Sequence, residues 1–134
     1  MTRPTLTAVH EELCSDLATP LGVTAVVKLH PSWGRPEGAT PMAGLGWQGA
    51  NQEIVTIGSH MRPITWRLSY YGANERQLLA AAEALIAWAD TTGSGWTVGG
   101  YPVEVSIADM TRQTPESGLS VEANAFDATL VTMY

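Results

Sequence analysis

His10 and Cys14 lie four positions apart, a spacing that places two side chains on the same face of a helix. Both residue types bind zinc, and a cysteine beside a histidine can also act as a nucleophile. Further ligands would have to come from His30 or His60, which stand at no recognised metal-site spacing. Because buried cysteines commonly act as small apolar residues, we predict a packing role and no metal site.

The segment 44–49 has the glycine spacing G-x-G-x-x-G, which occurs in nucleotide-binding loops. A dinucleotide site needs a strand before the glycines and a helix after them, but here Pro41 and Met42 precede them and a β-branched segment follows. A kinase-type loop is followed by a lysine on a strand, whereas the single lysine, Lys28, comes before the glycines. We therefore expect a flexible loop and no cofactor.

Other potential catalytic residues have equally weak contexts. Ser94 lies between two glycines but lacks the outer glycines of a nucleophile elbow. The carboxylates Glu104, Asp109 and Glu122 fall on predicted strand faces or turns, and 13 acidic residues on a small surface form close pairs by chance. These patterns predict no catalytic residue.

Two tryptophans occupy a segment with no sustained periodicity. Residues 31–52 hold three prolines, five glycines and two tryptophans, which predicts a long irregular loop. Loops longer than ~12–15 residues are usually functional or mobile. Aromatic residues and arginine are enriched at interface hot spots. The candidate interface residues are Trp33, Arg35, Glu37 and Trp47, and the alternative is that the loop folds back over its tryptophans.

Composition narrows the function classes. The chain has 134 residues, which fits one domain over residues 1–134, and 45% of them are hydrophobic. Its net charge is -6, and its seven basic residues form no cluster, which argues against direct or sequence-specific nucleic-acid binding. One cysteine excludes an intrachain disulfide. No apolar run suits a membrane span and the first residues lack a signal-peptide core, so we expect no membrane partner and assembly in the cytoplasm.

Apolar periodicity predicts the elements of the first half of the chain. Helical spacing of leucine and valine predicts a helix over about 4–18, which Pro20 and Gly22 end. Alternating apolar residues predict a strand at 23–30, and β-branched residues predict a short one at 53–57. The clearest alternation, at 64–71, predicts a strand with Trp66, Leu68 and Tyr70 on one face.

The second half begins with a capping signal. Asn74 followed by Gln77 predicts a helix that runs to about Thr92. We expect its buried stripe to comprise Leu78, Leu79, Ala82, Leu85, Ile86 and Ala89. Strands at 96–107 and 119–134, joined by a polar turn, predict a terminal hairpin. The order α-β-β-β-α-β-β predicts an α+β fold, in which two helices pack on one face of a mostly antiparallel sheet.

This order of elements resembles the lambda-like tail terminator proteins of long-tailed bacteriophages. Two stretches resemble the family most: the run from Thr65 to Tyr71 with its capped helix, and the ending from Ser117 through Ala128–Tyr134. The resemblance implies a structural virion protein, with no catalytic residues, that forms a homo-hexameric ring on the head-proximal end of the tail. Its implied partners are the tail tube protein and a head-tail connector or neck protein.

Two other interpretations stay open at this stage. The chain could be a different ring protein of the tail or neck, such as a tail tube subunit, a head-tail adaptor or a stopper. It could also be a small α+β enzyme or ligand-binding domain, which would need a pocket with perturbed titratable groups.

Overall fold

Side-chain caps define where the two helices begin. The computed structural model describes residues 2–28, 39–56, 59–113 and 124–134. Its helices are α1 (Leu6–Leu21) and α2 (Glu75–Thr91). Thr5 Oγ1 accepts the N–H of Ala8 at 3.1 Å, and Asn74 Oδ1 accepts the N–H of Gln77 at 2.9 Å. The predicted start of the second helix is therefore confirmed, cap included.

The end of α1 depends on a glycine. The helix continues one residue past Pro20 and ends at Gly22, whose φ of 67° lies in the left-handed region. Glycine adopts this conformation at little cost because it has no Cβ. Gly22 therefore turns the chain from α1 toward the sheet.

The described residues form nine strands. In chain order they are β1 (Val26–Lys28), β2 (Met42–Ala50), β3 (Ile54–Thr56), β4 (Ser59–Met61), β5 (Pro63–Tyr71), β6 (Thr97–Val98), β7 (Tyr101–Pro102), β8 (Glu104–Arg112) and β9 (Ala125–Met133). A 3-10 turn at Gly93–Gly95 lies between α2 and β6.

Five of these strands form the main sheet in the order β1-β2-β5-β9-β8. Only the pairing of β1 with β2 is parallel, and the other three pairings are antiparallel. The short pairs β3–β4 and β6–β7 form separate two-stranded sheets. The α+β fold with a mostly antiparallel sheet is therefore confirmed, and the order of the main elements follows the predicted one roughly.

Both helices pack on the same face of the main sheet and share one core with it. The largest side chains with almost no exposed surface are Trp66, Tyr70, Leu13, Leu17, Leu45, Leu68, Leu85 and Leu130. From Phe126 onward the buried side chains are those of even number, as the predicted alternation requires, whereas Ala125 at the start of β9 is buried in a second small cluster with Met42 and Tyr71.

Several expectations about local structure are wrong. The single strand expected at 96–107 is divided into β6, β7 and the first part of β8. Residues 42–50 of the expected loop at 31–52 form strand β2, the neighbour of the central strand β5. Gly44 and Gly46 lie on the face of β2 away from the buried Ala43 and Leu45. Because glycine has no side chain, the sequence shows no alternation of apolar and polar residues there.

The buried stripe that we predict for α2 is also wider than the one in the structure. The buried residues of this helix are Leu78, Ala81 and Leu85, whereas Leu79 is 54% exposed and Ile86 is 46% exposed. Because α2 touches the sheet along a narrow line, its flanking apolar side chains stay at the surface.

Candidate interaction surfaces

His10 and Cys14, the two side chains of α1 that could bind a metal or act in catalysis, have packing roles instead. The ring of His10 lies 5.2 Å from that of Trp66, and its Nε2–H donates to the carbonyl oxygen of Leu45 at 2.6 Å. Cys14 is buried, and desolvation raises the pKa of its thiol to about 11. A thiol with such a pKa is protonated at neutral pH and is a poor nucleophile or metal ligand.

The histidines and Cys14 do not come together. His60 lies on β4 with its side chain largely exposed, and its Nδ1 is 3.9 Å from Glu53 Oε1. His30 lies outside the described residues. Within the part of the chain that the structure describes, no group of three or more His, Cys, Asp and Glu side chains could hold a metal ion.

The glycine motif at 44–49 lies within strand β2 rather than in a loop. Gly44 and Gly46 pair with Ser69 and Arg67 of β5, and both glycines are buried. Because this backbone takes part in a sheet ladder, it does not form a cradle of free N–H groups for a phosphate. The structure therefore gives this motif a strand role.

One of the four candidate interface residues falls in a described element. Trp47 lies near the end of β2 and is 48% exposed. A β-bulge between Trp47 and Gly49 interrupts the pairing with β5 at this point. Trp33, Arg35 and Glu37 lie outside the described residues.

A second exposed apolar site is the hairpin formed by β3 and β4. Ile54 is 46% exposed and Val55 is 61% exposed. Arg3 links this hairpin to the segment before α1, through a hydrogen bond to the carbonyl oxygen of His60 at 3.5 Å and an ion pair with Glu53 at 3.8 Å. A two-stranded hairpin is only marginally stable by itself, so such links matter.

A groove of about 500 Å³ runs between α2 and β8, and we refer to it as the α2–β8 groove. Its apolar lining includes Ile86, Ala89, Ile107 and Met110, and its charged lining residues are Asp90 and Glu104. Strand β8 forms an edge of the main sheet. Glu104 alternates with the buried Val105, so its side chain lies on the opposite face of β8 and the groove combines apolar side chains, the carboxylate of Asp90 and an edge strand.

The sheet face opposite the helices carries a polar network on its central strands. Arg67 Nη2 lies 2.9 Å from Asp127 Oδ2, and Ser69 Oγ donates to Asp127 Oδ1 at 2.6 Å. Gln113 Nε2 donates to the same oxygen at 3.2 Å. No helix of the described chain packs on this face, which we refer to as the open face.

No protein-family model matches this chain, and no curated protein sequence matches it significantly. Neither helix in the described ranges has the length and apolar character needed to cross a membrane.

Neither the exposed β3–β4 hairpin nor the α2–β8 groove was predicted from the sequence as an interaction surface. Ile54 and Val55 are adjacent, and in a strand adjacent side chains point to opposite faces, so both could not enter one core. That signal was present in the sequence. The groove had no comparable signal, because it depends on how far α2 lies from β8.

Proposed function

We propose that this protein is a structural component of a long-tailed bacteriophage that assembles as a closed hexameric ring. The ring caps the head-proximal end of the tail tube, stops tube polymerisation and forms the joint to the head. The observation that carries this proposal is the main sheet, on which both helices of the described ranges pack on the same face. Such a sheet can turn its open face toward a channel and its helices toward the outside.

The electrostatics of the open face support a channel lining. Arg67 on the central strand β5 is paired with Asp127 at 2.9 Å, so its positive charge is balanced locally. An unpaired arginine would bind phosphate strongly, and phosphate contacts dominate affinity for DNA. A net charge of -6 acts in the same direction, because it disfavours adhesion of DNA to the ring.

The exposed apolar side chains support assembly. Trp47, Val55 and Leu79 are each close to half exposed or more. Single exposed apolar residues are normal, but buried aromatic anchors dominate many interfaces. We assign Trp47 to a contact with a neighbouring copy or with the tail tube.

Electron microscopy and native mass spectrometry of the purified protein test this proposal, alone and with polymerising tail tube protein. We expect six-fold rings on one end of each tube and shorter tubes in the presence of the protein. Long tubes made of this chain alone would instead identify a tube subunit. A monomer that leaves tube growth unchanged would contradict the proposal.

A further inference from the structure

Helix α2 exposes an apolar stripe along the side that faces β8. Leu79 and Ile86 lie two helical turns apart on the same side of the helix, and they are 54% and 46% exposed. Ala82 and Ala89 continue the stripe and are half-buried. We refer to these four residues as the α2 seam. Apolar residues that recur at alternating intervals of three and four residues form the pattern by which helices pack in pairs.

The α2 seam faces away from α1 and toward an edge of the protomer. The other side of α2 meets the surroundings of α1, where Trp88 contacts Trp96 and the Trp96 indole donates to Asp16. On the seam side Ile86 and Ala89 line the α2–β8 groove. In the main sheet no described strand lies beyond β8. A second molecule can therefore reach the seam from the side.

The geometry of β8 favours a helix over an added strand at this site. Strand β8 has a β-bulge between Ile107 and Asp109, in the middle of its length. A bulge on an edge strand disrupts the row of backbone groups with which another strand would pair. Ile107 and Met110 remain only half-buried in the groove next to the seam. The site therefore suits apolar side chains from a helix that lies along α2.

The charges of α2 fit a second α2 in antiparallel orientation. Arg76 lies in the first turn and Asp90 in the last, and both are exposed. Among the described residues neither has an ion-pair partner within the protomer. Both placements oppose the helix dipole, which favours acidic residues at the N-terminal end and basic residues at the C-terminal end. An antiparallel copy brings Arg76 of each helix to Asp90 of the other and also sets the two dipoles in opposition.

We infer that two copies of this chain associate through their α2 seams, with the helices antiparallel about a two-fold axis near the middle of α2. Leu79 of each copy packs against Ile86 of the other at the mouth of its groove, and Arg76 pairs with Asp90 at both ends. The β8 edges of the two main sheets then lie side by side. Two strand spacings, roughly 10 Å, separate the helix axes, which is the usual distance between packed helices.

This contact goes beyond the proposed ring. It is isologous, because both copies use the same surface, whereas a ring is built from heterologous contacts. It assigns the free protein a dimeric state that does not depend on the tail tube. The contact is limited to two helices of 17 residues, so we expect a dissociation constant on the order of 10 μM.

Charge insertions in the seam test the contact by sedimentation velocity of the full chain. Leu79→Glu and Ile86→Glu should each weaken dimerisation by about tenfold or more, because each places two carboxylates in an apolar contact. The melting temperature of the monomer should stay close to that of the wild type, since both positions are exposed. Ala80→Glu is the matched control, because Ala80 is exposed on a different side of the same helix. Equal weakening by Ala80→Glu would contradict the seam.

Charge reversals at the helix ends give the sharper test. Arg76→Glu alone and Asp90→Arg alone should each weaken dimerisation about fivefold or more at low salt, because like charges then meet at both ends. Both changes suit the helix dipole, so neither should weaken the fold. A mixture of the two variants restores opposite charges at both ends, and we expect native mass spectrometry to show a mixed dimer. The double variant in one chain should dimerise with itself as the wild type does.

The centre of the contact provides a change that should strengthen it. Glu83 lies at the middle of α2 and is exposed, so the two-fold axis places its two copies near each other. Glu83→Gln removes this like-charge pair and should tighten the dimer about twofold at low salt. Unchanged or weaker dimerisation of Glu83→Gln would contradict the antiparallel register.

The outcomes separate this inference from the proposed function. A dimer that is lost in Ile86→Glu while the variant still caps tubes supports the contact and leaves the terminator proposal standing. The same dimer in a protein that never caps tubes supports the contact and contradicts the terminator. A wild type that stays monomeric at about 100 μM, or that forms hexamers without a dimer, overturns the inference. A mixture of the charge variants without a mixed dimer overturns it as well.

Discussion

The indole Nε1–H of Trp66 donates a hydrogen bond to the hydroxyl of Thr132 at 2.9 Å in the core of the protein. Trp66 is 1% exposed and Thr132 is 0% exposed, so neither group has water as an alternative partner. The bond joins the central strand β5 to β9 on the helix-covered side of the sheet. Together with the bond that the Thr132 hydroxyl donates to the carbonyl oxygen of Ile64 at 3.4 Å, it allows a threonine to occupy a core position.

Thr132→Val should destabilise the protein by about 1–3 kcal/mol, because it leaves the buried Trp66 N–H without an acceptor. Urea denaturation measures this loss. Thr129→Val is the matched control, since Thr129 lies on the open face of the same strand, and it should change stability by less than about 0.5 kcal/mol. The double variant Trp66→Phe with Thr132→Val should cost less than the sum of the two single changes. Strict additivity would show that the hydrogen bond contributes nothing.

Gly93→Ala should destabilise the connection between α2 and β8. A Cβ at Gly93 would lie 2.4 Å from the carbonyl oxygen of Val105, so the backbone must move. We expect a cost of about 1–3 kcal/mol, as for other overpacked sites. Gly95→Ala, in the same 3-10 turn, adds a Cβ with no atom within 4 Å and should be close to neutral. Thermal denaturation of both variants compares them, and equal melting temperatures would disprove the close approach.

The stability of the protein should fall with pH between about 9 and 11 through Cys14. Burial raises the pKa of its thiol from 9.0 to about 11 in the folded state. In this window the unfolded chain has lost the thiol proton while the folded chain retains it, so rising pH favours unfolding. The stabilising effect is fully present below pH 9.

The matched variant for this pH effect is Cys14→Ala, which removes the titrating group. Burial also raises the pKa of Tyr70 and Tyr134, which contribute in the same direction in both proteins. The wild type should therefore lose stability more steeply than the variant between pH 9 and 11 in urea titrations. Parallel curves would show that Cys14 is not desolvated.

Trp47→Ala should reduce ring formation without unfolding the monomer. Trp47 is 48% exposed, so its truncation removes little of the core. If it anchors an interface, its loss weakens assembly by about 2 kcal/mol or more. Sedimentation velocity measures assembly, thermal denaturation measures the fold, and Gln48→Ala at the next exposed position serves as the control. A lower melting temperature with unchanged assembly would assign Trp47 to packing.

The spacing of apolar residues predicted those parts of the fold in which the buried positions are occupied by apolar side chains. Strand β5 and helix α2 were predicted to within a residue or so, because alternation marks the first and an asparagine cap marks the second. Strand β2 was missed because glycine has no side chain with which to show a face. The hydrogen bond from Trp66 to Thr132 was not predictable, since it depends on the register between strands 66 residues apart in sequence.

The surfaces were harder to predict than the core. Trp47 was singled out for its residue type, and the structure leaves it exposed, but its role stays a prediction. Leu79 and Ile86 were expected in the core because helical spacing does not specify how wide a buried stripe is. The width depends on the curvature of the sheet beneath α2, which is a property of the assembled fold.

The position of β9 between β5 and β8 determines when the main sheet can form during synthesis of the chain. Strand β8 leaves the ribosome before β9 does, yet β9 is its neighbour in the sheet and separates it from β5. The nascent chain therefore cannot complete the five-stranded sheet until β9 has been translated. Until then the apolar faces of β5 and β8 lack their common partner, and such unpaired strands are prone to aggregation. The pairing of β5 and β8 with β9 is thus expected to wait until β9 has been synthesised, with chaperones shielding both strands in the interval.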